Sequence, residues 1–279
     1  MDKALRTEIV LRDGAVSCLE WPRPQAPILL FAHANGFNAQ TYASLLTPIS
    51  ERYHAFACDL RGHGFTTLPT EGTSANGWTV FRNDLRSVVE HIRPRSIVLA
   101  GHSLGATSSL MAAAQMREQV QGLLLIEPVL IAPDNEPGAT DLAARAERRR
   151  NVFPSFETAF EAYRGRSIFA SWPDAVVADY LEGGLLDTGP GSLRLACAPE
   201  WEAAVFRGAP RNTAPLATSI SCPITIIVGS KDSATSEQQL SLILNLRPDA
   251  RIRNVDGASH FLPMERPEIV QEELFRLAR

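Results

Sequence analysis

The sequence predicts an α/β fold in which helices cover both faces of a mostly parallel, eight-stranded sheet. The first observation is a series of short apolar segments of strand length: Thr7–Leu11, Ala15–Trp21, Pro27–Ala32, Tyr53–Cys58, Ser96–Ala100, Gly122–Ile126, Ile224–Val228 and Ala250–Val255. The second is that segments with helical spacing of apolar residues separate most of these strands. Continuous apolar strands that alternate with helices are typical of a parallel sheet buried between two helical layers. Ligand sites of such sheets form at the carboxyl ends of the strands.

The elements follow one another in a regular order along the chain. The first two strands flank Asp13-Gly14, a pair that predicts a hairpin turn. Helices are then expected between the later strands, at residues 42–49, 78–91, 104–116 and 237–246. A last helix is expected from Pro267 to Phe275, because proline is favoured in the first turn of a helix.

One region interrupts the alternation of strands and helices. Residues 132–216 contain no clear core strand. They contain instead four helical stretches separated by glycine and proline: Asp141–Asn151, Ser155–Tyr163, Pro173–Leu181 and Pro199–Phe206. We therefore expect a core domain made of residues 1–131 and 217–279, and a helical lid, or cap, inserted at residues 132–216.

The composition excludes several classes of protein. The chain has 279 residues, 45% of them hydrophobic, which is ordinary for a packed globular protein. A net charge of −4 offers no basic surface, so nucleic acid and anionic membranes are not expected partners. The N-terminus lacks the apolar stretch of a signal peptide, and no run of about 18 apolar residues predicts a membrane span. We expect a cytoplasmic protein, a monomer or homodimer, that acts on a small-molecule substrate.

The cysteines carry no metal-binding pattern. Cys18, Cys58, Cys197 and Cys222 are far apart in the sequence and form no C-x-x-C pair. This spacing is interpreted as four buried, reduced thiols rather than a disulfide or zinc framework. No metal and no organic cofactor are expected.

A Gly-x-Ser-x-Gly pentapeptide marks the candidate nucleophile. Gly101-His102-Ser103-Leu104-Gly105 lies between the strand Ser96–Ala100 and the helical segment that begins near Leu104. Such a strand–turn–helix context defines a nucleophile elbow, in which the glycines allow a sharp turn that exposes the serine hydroxyl. The helix that follows directs free N–H groups towards charge that develops at Ser103.

A serine hydroxyl needs a base, and the base needs a group that orients it. His260 follows the last strand in a turn-rich loop, which places it at the edge of the sheet where Ser103 is expected. Asp232 follows the strand Ile224–Val228 and is the predicted acid, although it is also suited to cap the helix that begins at Glu237. Glu127, directly after the strand Gly122–Ile126, is the alternative acid.

An oxyanion hole requires two N–H donors directed at the developing negative charge. The backbone amide of Leu104, directly after the nucleophile, is one predicted donor. The other is expected from the loop His33-Ala34-Asn35-Gly36-Phe37, after the third strand. We assign it to the amide of Asn35, with that of Phe37 as the alternative.

Nearly the whole chain resembles the α/β-hydrolase family. The resemblance rests on the 33–37 loop, Asp59-Leu60-Arg61-Gly62-His63-Gly64, the 101–105 elbow, Gly229-x-x-Asp232, and Gly257-x-x-His260-Phe261. It implies an α/β-hydrolase fold with a lid over the active site and assigns the catalytic roles to Ser103, Asp232 and His260. Ala34 stands where many members have glycine, which disfavours lipases with a wide oxyanion loop. A serine rather than an aspartate at position 103 disfavours haloalkane dehalogenases and epoxide hydrolases.

The expected activity is hydrolysis of a small or medium carboxylic ester or lactone through an acyl-enzyme. Two alternatives remain open: a carbon–carbon bond hydrolase or perhydrolase that uses the same triad, and a small-molecule receptor with slow turnover. Phe37, Trp201 and Phe261 are the predicted substrate contacts. The run Arg148-Arg149-Arg150 is interpreted as a solvated helix face rather than a binding site for a substrate carboxylate.

Overall fold

The computed structural model describes residues 4–131 and 139–278. Its main sheet has eight strands in the order β1-β2-β4-β3-β5-β6-β10-β11. These strands are β1 (Leu5–Leu11), β2 (Gly14–Trp21), β3 (Ile28–Ala32), β4 (His54–Cys58), β5 (Ile97–His102), β6 (Val120–Ile126), β10 (Ile224–Gly229) and β11 (Arg251–Val255). β2 pairs antiparallel with β1 and β4, and the other pairs are parallel. The predicted fold class is confirmed.

The described helices are α1 (Ala43–Leu46), α2 (Thr79–Ile92), α3 (Leu104–Ala113), α4 (Ala139–Glu147), α5 (Phe156–Tyr163), α6 (Asp174–Gly184), α7 (Pro199–Arg207), α8 (Glu237–Leu246), α9 (Leu262–Glu265) and α10 (Pro267–Leu277). None of them is long and apolar enough to cross a membrane. Successive strand residues point to opposite faces: Leu30 belongs to the hydrophobic cluster that includes residues of α2, α3 and α8, whereas Phe31 belongs to the cluster that includes residues of α1 and α10. Burial on both faces explains why the strands are apolar throughout.

The segment between β6 and β10 stands apart from the main sheet. Its helices α4 to α7 match the four predicted helical stretches. It also contains a small antiparallel sheet, in the order β7-β9-β8, formed by Val152–Phe153, Ser192–Leu195 and Leu185–Gly189. The sequence gives little sign of these strands, because two to five residues are too few for a recognisable alternation. The first part of the predicted lid, residues 132–138, lies outside the described residues.

Two of the cysteines contradict the expectation of reduced thiols. Cys18 on β2 and Cys58 on β4 are directly opposite each other in the antiparallel register, and they form a disulfide with their Cα atoms 4.0 Å apart. The two are 40 residues apart in sequence, so only the pairing of the strands brings them together. Cys197 and Cys222 are buried free thiols, as expected.

Gly105 allows α3 to lie directly against the sheet. A Cβ atom at this position would lie 2.1 Å from the backbone oxygen of Ala32, whereas one at Gly122 would meet only side-chain atoms at 3.4 Å or more. We expect Gly105→Ala to destabilise the fold by about 1–3 kcal/mol, because the backbone has to move to relieve the overlap. Gly122→Ala is the matched control and should leave the urea midpoint nearly unchanged. Equal shifts of the two midpoints would contradict this account.

Candidate active site

Ser103 lies at the carboxyl end of β5, in the turn that leads into α3. Its backbone has φ 53° and ψ −114°, a combination that is unfavourable for a residue with a side chain. Its amide donates to the carbonyl oxygen of Ile126 on β6, at 2.9 Å. The turn therefore presents the half-buried Ser103 side chain to a cavity above the sheet. A strained, well-held residue in a cavity is a sign of function.

His260 lies between β11 and α9 and lines the same cavity as Ser103. Its Nδ1 atom is 3.1 Å from Oε2 of Glu127. The imidazole is 20% exposed, whereas the carboxylate is fully buried. The structure thus brings a serine, a histidine and an acid to one edge of the sheet, as the positions of their strands predict.

The carboxylate that contacts His260 is that of Glu127 and not that of Asp232, which was the predicted partner. Asp232 is an exposed residue of the loop after β10. The end of β10 and the loop after it hold Glu127: the carboxylate accepts hydrogen bonds from the amides of Gly229 (2.6 Å) and Ala234 (2.8 Å) and from the hydroxyl of Ser233 (2.9 Å). These donors offset the cost of burying a charged carboxylate.

The loop after β3 controls the direction of the Asn35 amide. The carbonyl oxygen of Ala34 accepts hydrogen bonds from Nδ1 of His33 (2.7 Å) and the amide of Phe37 (3.1 Å). Because a trans peptide is planar, its N–H points opposite to its C=O, so the Asn35 amide is turned away from these donors. The amide of Gly36 donates to Nε2 of His63, at 3.0 Å. Within the described part of the chain, the Asn35 amide has no hydrogen-bond acceptor.

Two buried histidines hold this loop, and the sequence indicates them only through the shared motifs. Desolvation lowers the pKa of His33 well below its usual value and that of His63 to about 4, so both rings are neutral at pH 7. Nδ1 of His63 donates to the carbonyl oxygen of Arg61 (3.0 Å), and Nε2 of His33 accepts from the amide of Leu60 (2.8 Å). In each ring one nitrogen is therefore a donor and the other an acceptor.

The amide of Leu104 is the other predicted donor at the site. Leu104 is the first residue of α3, so its N–H has no partner within the helix. Among the described residues it donates to no other group. Of the two predicted donors, Asn35 lines the cavity together with Ser103, and Leu104 is the residue directly after Ser103. Phe37, the alternative donor, already donates to the carbonyl oxygen of Ala34.

The cavity has a volume of about 510 Å³ and is lined in part by residues of α4, α5, α6 and α7. The predicted contacts Phe37 and Phe261 line it, and their rings stack with centroids 6.1 Å apart. Trp201 does not line it, so this predicted contact was wrong. Its indole N–H donates to the carbonyl oxygen of Arg61, at 3.0 Å, and its ring packs near Phe81.

The cavity wall carries a half-buried cation that was expected to be solvated. Arg149, just after α4, forms an ion pair with the buried carboxylate of Glu202. It also donates to the hydroxyl groups of Tyr163 (3.0 Å) and Tyr180 (2.5 Å). Its neighbour Arg150 follows the expectation and is exposed. Because Arg149 lies beyond the end of α4, helical spacing does not indicate the direction of its side chain.

Two further arginines lie at the cavity. Arg145 and Arg166 are exposed residues that line it, and neither forms an ion pair within the described residues. Counted over the described residues that line the cavity, they make with Arg149 three arginines against one acid, Glu202. The cavity therefore has an excess of positive charge, although the chain as a whole is acidic.

A mostly parallel sheet that presents a serine, a histidine and a carboxylate at the ends of its strands defines a class of hydrolytic enzymes. The model of the alpha/beta hydrolase family matches residues 29–273. The chain belongs to the α/β hydrolase family.

The chain is also similar to proteins of known activity, which are hydrolases. The chain is 29% identical over 245 residues to 2-(acetamidomethylene)succinate hydrolase of Mesorhizobium japonicum, covering 87% of this chain and 84% of that one. A crystal structure of E-2-(acetamidomethylene)succinate hydrolase superposes with a TM-score of 0.85 at 24% identity, covering 98% of both chains. A thioesterase domain from the curacin biosynthetic pathway superposes with a TM-score of 0.83 at 17% identity, over 99% of this chain and 100% of that one.

Proposed function

We propose that this protein is a serine hydrolase in which Ser103 is the nucleophile, His260 the general base and Glu127 the acid that orients the base. The observation that carries the proposal is the contact of His260 Nδ1 with the buried Glu127 carboxylate, at 3.1 Å. A carboxylate in that position keeps the ring proton on Nδ1. Nε2 is then unprotonated and available to take the proton of Ser103.

The reaction follows from this arrangement. Ser103 Oγ attacks a substrate carbonyl carbon as His260 removes its proton. The amides of Asn35 and Leu104 donate to the resulting oxyanion, and loss of one such donor typically costs about 3 kcal/mol in barrier height. His260 then protonates the leaving group, and an acyl-enzyme on Ser103 remains. Water, activated by His260, attacks the acyl-enzyme and releases the acid.

The substrate is a small acyl compound, an ester, lactone or amide, that carries a carboxylate. The excess of arginine in the cavity supports this substrate class, because guanidinium groups bind carboxylates with charge-assisted hydrogen bonds. The printed name of the Mesorhizobium relative describes an acetamido derivative of succinate, which combines an amide with carboxylates. A cavity of about 510 Å³ suits a substrate of this size.

Carbon–carbon bond hydrolysis is the second candidate. It uses the same three side chains, and it usually needs an arginine for a substrate carboxylate. Arg145 and Arg166, which line the same cavity as Ser103 and form no ion pair within the described residues, support this candidate together with Arg149. Turnover of a simple activated ester, without turnover of a diketone, would favour the first candidate over this one.

A fluorophosphonate probe tests the activated serine directly. We expect wild type to acquire one phosphonyl group per chain, located on Ser103 by peptide mass spectrometry, with loss of turnover of p-nitrophenyl acetate. Ser103→Ala should remain unlabelled. Ser108→Ala removes a buried hydroxyl one turn further along α3 and is the matched control, which should label like wild type. A folded wild-type protein that resists the probe would overturn the proposed function.

A further inference from the structure

A chain of hydrogen bonds connects three parts of the candidate site. The amide of Ala34, in the loop after β3, donates to the hydroxyl of Tyr42 at 3.2 Å. That hydroxyl is 2.7 Å from Nδ1 of His102, the residue before Ser103. Nε2 of His102 is in turn 2.8 Å from the carbonyl oxygen of His260. The chain thus runs from the oxyanion loop, past the nucleophile, to the backbone of the proposed base.

The two end groups of this series of hydrogen bonds fix the position of every proton in it. The Ala34 amide can only donate, so the Tyr42 oxygen accepts there and gives its own proton to Nδ1 of His102. The His260 carbonyl can only accept, so Nε2 of His102 carries the ring proton. Burial keeps both side chains in these neutral forms, since it lowers the pKa of His102 and raises that of Tyr42. His102 is 0% exposed and Tyr42 1%, so water does not replace these bonds.

We propose that His102 is a positioning residue that holds the proposed base at the correct distance from the nucleophile. The inference rests on the proposed function. Glu127 holds the His260 side chain at Nδ1, whereas His102 holds the His260 backbone. Because His102 adjoins Ser103 in the chain, the anchor of the base is one peptide bond from the nucleophile. His102 touches no substrate and is not among the residues that line the cavity.

Two substitutions of His102 separate positioning from mere packing. His102→Leu fills the site but removes the donor to His260, whereas the side-chain amide of His102→Gln restores a donor near the position of Nε2. With p-nitrophenyl acetate we expect kcat of the Leu variant to fall about 30-fold with little change in KM, because a misplacement of about 1 Å weakens catalysis strongly. The Gln variant should keep kcat within about 5-fold of wild type.

The outcomes are decisive in both directions. A folded Leu variant with the kcat of wild type, or a Gln variant no better than Leu, would overturn the inference, and so would a KM change that accounts for the whole loss. Melting followed by circular dichroism establishes that each variant is folded. Ser103→Ala is measured in parallel: if it retains turnover, the proposed function itself fails, whereas its loss of turnover together with an unaffected Leu variant removes only the role of His102.

A spectroscopic measurement keeps the inference testable if both variants fail to fold. In the ¹⁵N spectrum of the wild-type imidazoles at pH 7.5, we expect the ring of His102 to be neutral and protonated at Nε2, with Nδ1 as the acceptor. The ring signals of His102 are assigned through their NMR correlation to its own backbone amide. A proton on Nδ1 would contradict the donor to His260 and overturn the inference.

Discussion

Glu127→Gln should lower kcat about 10³- to 10⁴-fold, the effect expected when the acid of such a triad is replaced by its amide. The physical reason is that the carboxylate charge stabilises the imidazolium that forms when His260 takes the proton of Ser103. Glu127 Oε2 accepts from the Ala234 amide and the Ser233 hydroxyl, and Oε1 accepts from the Gly229 amide. A glutamine has no charge and only one side-chain oxygen. It therefore places its NH₂ group against a donor in either orientation and no longer stabilises the protonated His260.

Asp232→Asn is the matched control for this substitution. It removes a carboxylate from the same edge of the sheet, at an exposed position in the loop after β10. We expect its kcat to remain within about 3-fold of wild type, since screened surface charges contribute little. Steady-state kinetics on p-nitrophenyl acetate measures both variants. A large loss in Asp232→Asn, with Glu127→Gln nearly unaffected, would show that Asp232 is the working acid.

Removal of Arg149 should abolish most of the preference for substrates that carry a carboxylate. The measured quantity is the ratio of kcat/KM for p-nitrophenyl hemisuccinate to that for p-nitrophenyl butyrate, an acyl chain of matched length without the charge. We expect this ratio to fall about 100-fold, the equivalent of about 3 kcal/mol for a buried charge-assisted pair. Non-enzymatic hydrolysis of both esters is subtracted.

The variant has to respect the ion pair that Arg149 forms with Glu202. Loss of one partner alone leaves a buried charge uncompensated and costs about 3–5 kcal/mol of stability. The substitution is therefore made as Arg149→Met together with Glu202→Gln. Arg150→Met, which removes a guanidinium that lies over the ring of Phe153, is the control and should keep the ratio of wild type. An unchanged ratio in the double variant would exclude Arg149 as the carboxylate anchor.

The sequence predicts the main sheet well, and it also predicts that Ser103 and His260 lie at the same edge of it. A strand buried on both faces is apolar at every position, as at Ile97–Val98-Leu99-Ala100, and such runs are easily recognised. Ser103 and His260 each follow such a strand directly or after a short loop, so their meeting at one edge follows from the parallel arrangement.

The choice of acid could not be made from the sequence alone. Glu127 and Asp232 follow the neighbouring strands β6 and β10, so both lie at the same edge of the sheet. Which of the two carboxylates faces His260 depends on the end of β10 and the loop after it: the amides of Gly229 and Ala234 donate to Glu127, and Asp232 is exposed. Backbone hydrogen bonds determine which carboxylate faces His260, and they cannot be recognised from the residue types in the sequence.

The errors at Trp201 and Arg149 have a related cause. Both lie in the segment between β6 and β10, which packs against the sheet through irregular contacts rather than through a regular register. In this segment, the Trp201 side chain donates to the carbonyl oxygen of Arg61. Arg149 contacts the carboxylate of Glu202 and the hydroxyl groups of two tyrosines. The disulfide between Cys18 and Cys58 was missed for a similar reason, because the pairing of β2 with β4 that joins them is set by tertiary structure.

Because the proposed acid directly follows β6, the pairing of β5 with β6 fixes its distance from the proposed nucleophile. His102 and Ile126 are partners in the parallel ladder, so Ser103 and Glu127 each come one residue after a paired position, and both have positive φ angles, 53° and 49°. The separation of these two backbones is therefore set by the interstrand distance of about 4.8 Å rather than by a loop. The turn after β10 is instead tied to the segment that leads to His260, because the amides of Ser230 and Lys231 donate to the carbonyl oxygens of Val255 and Ala258.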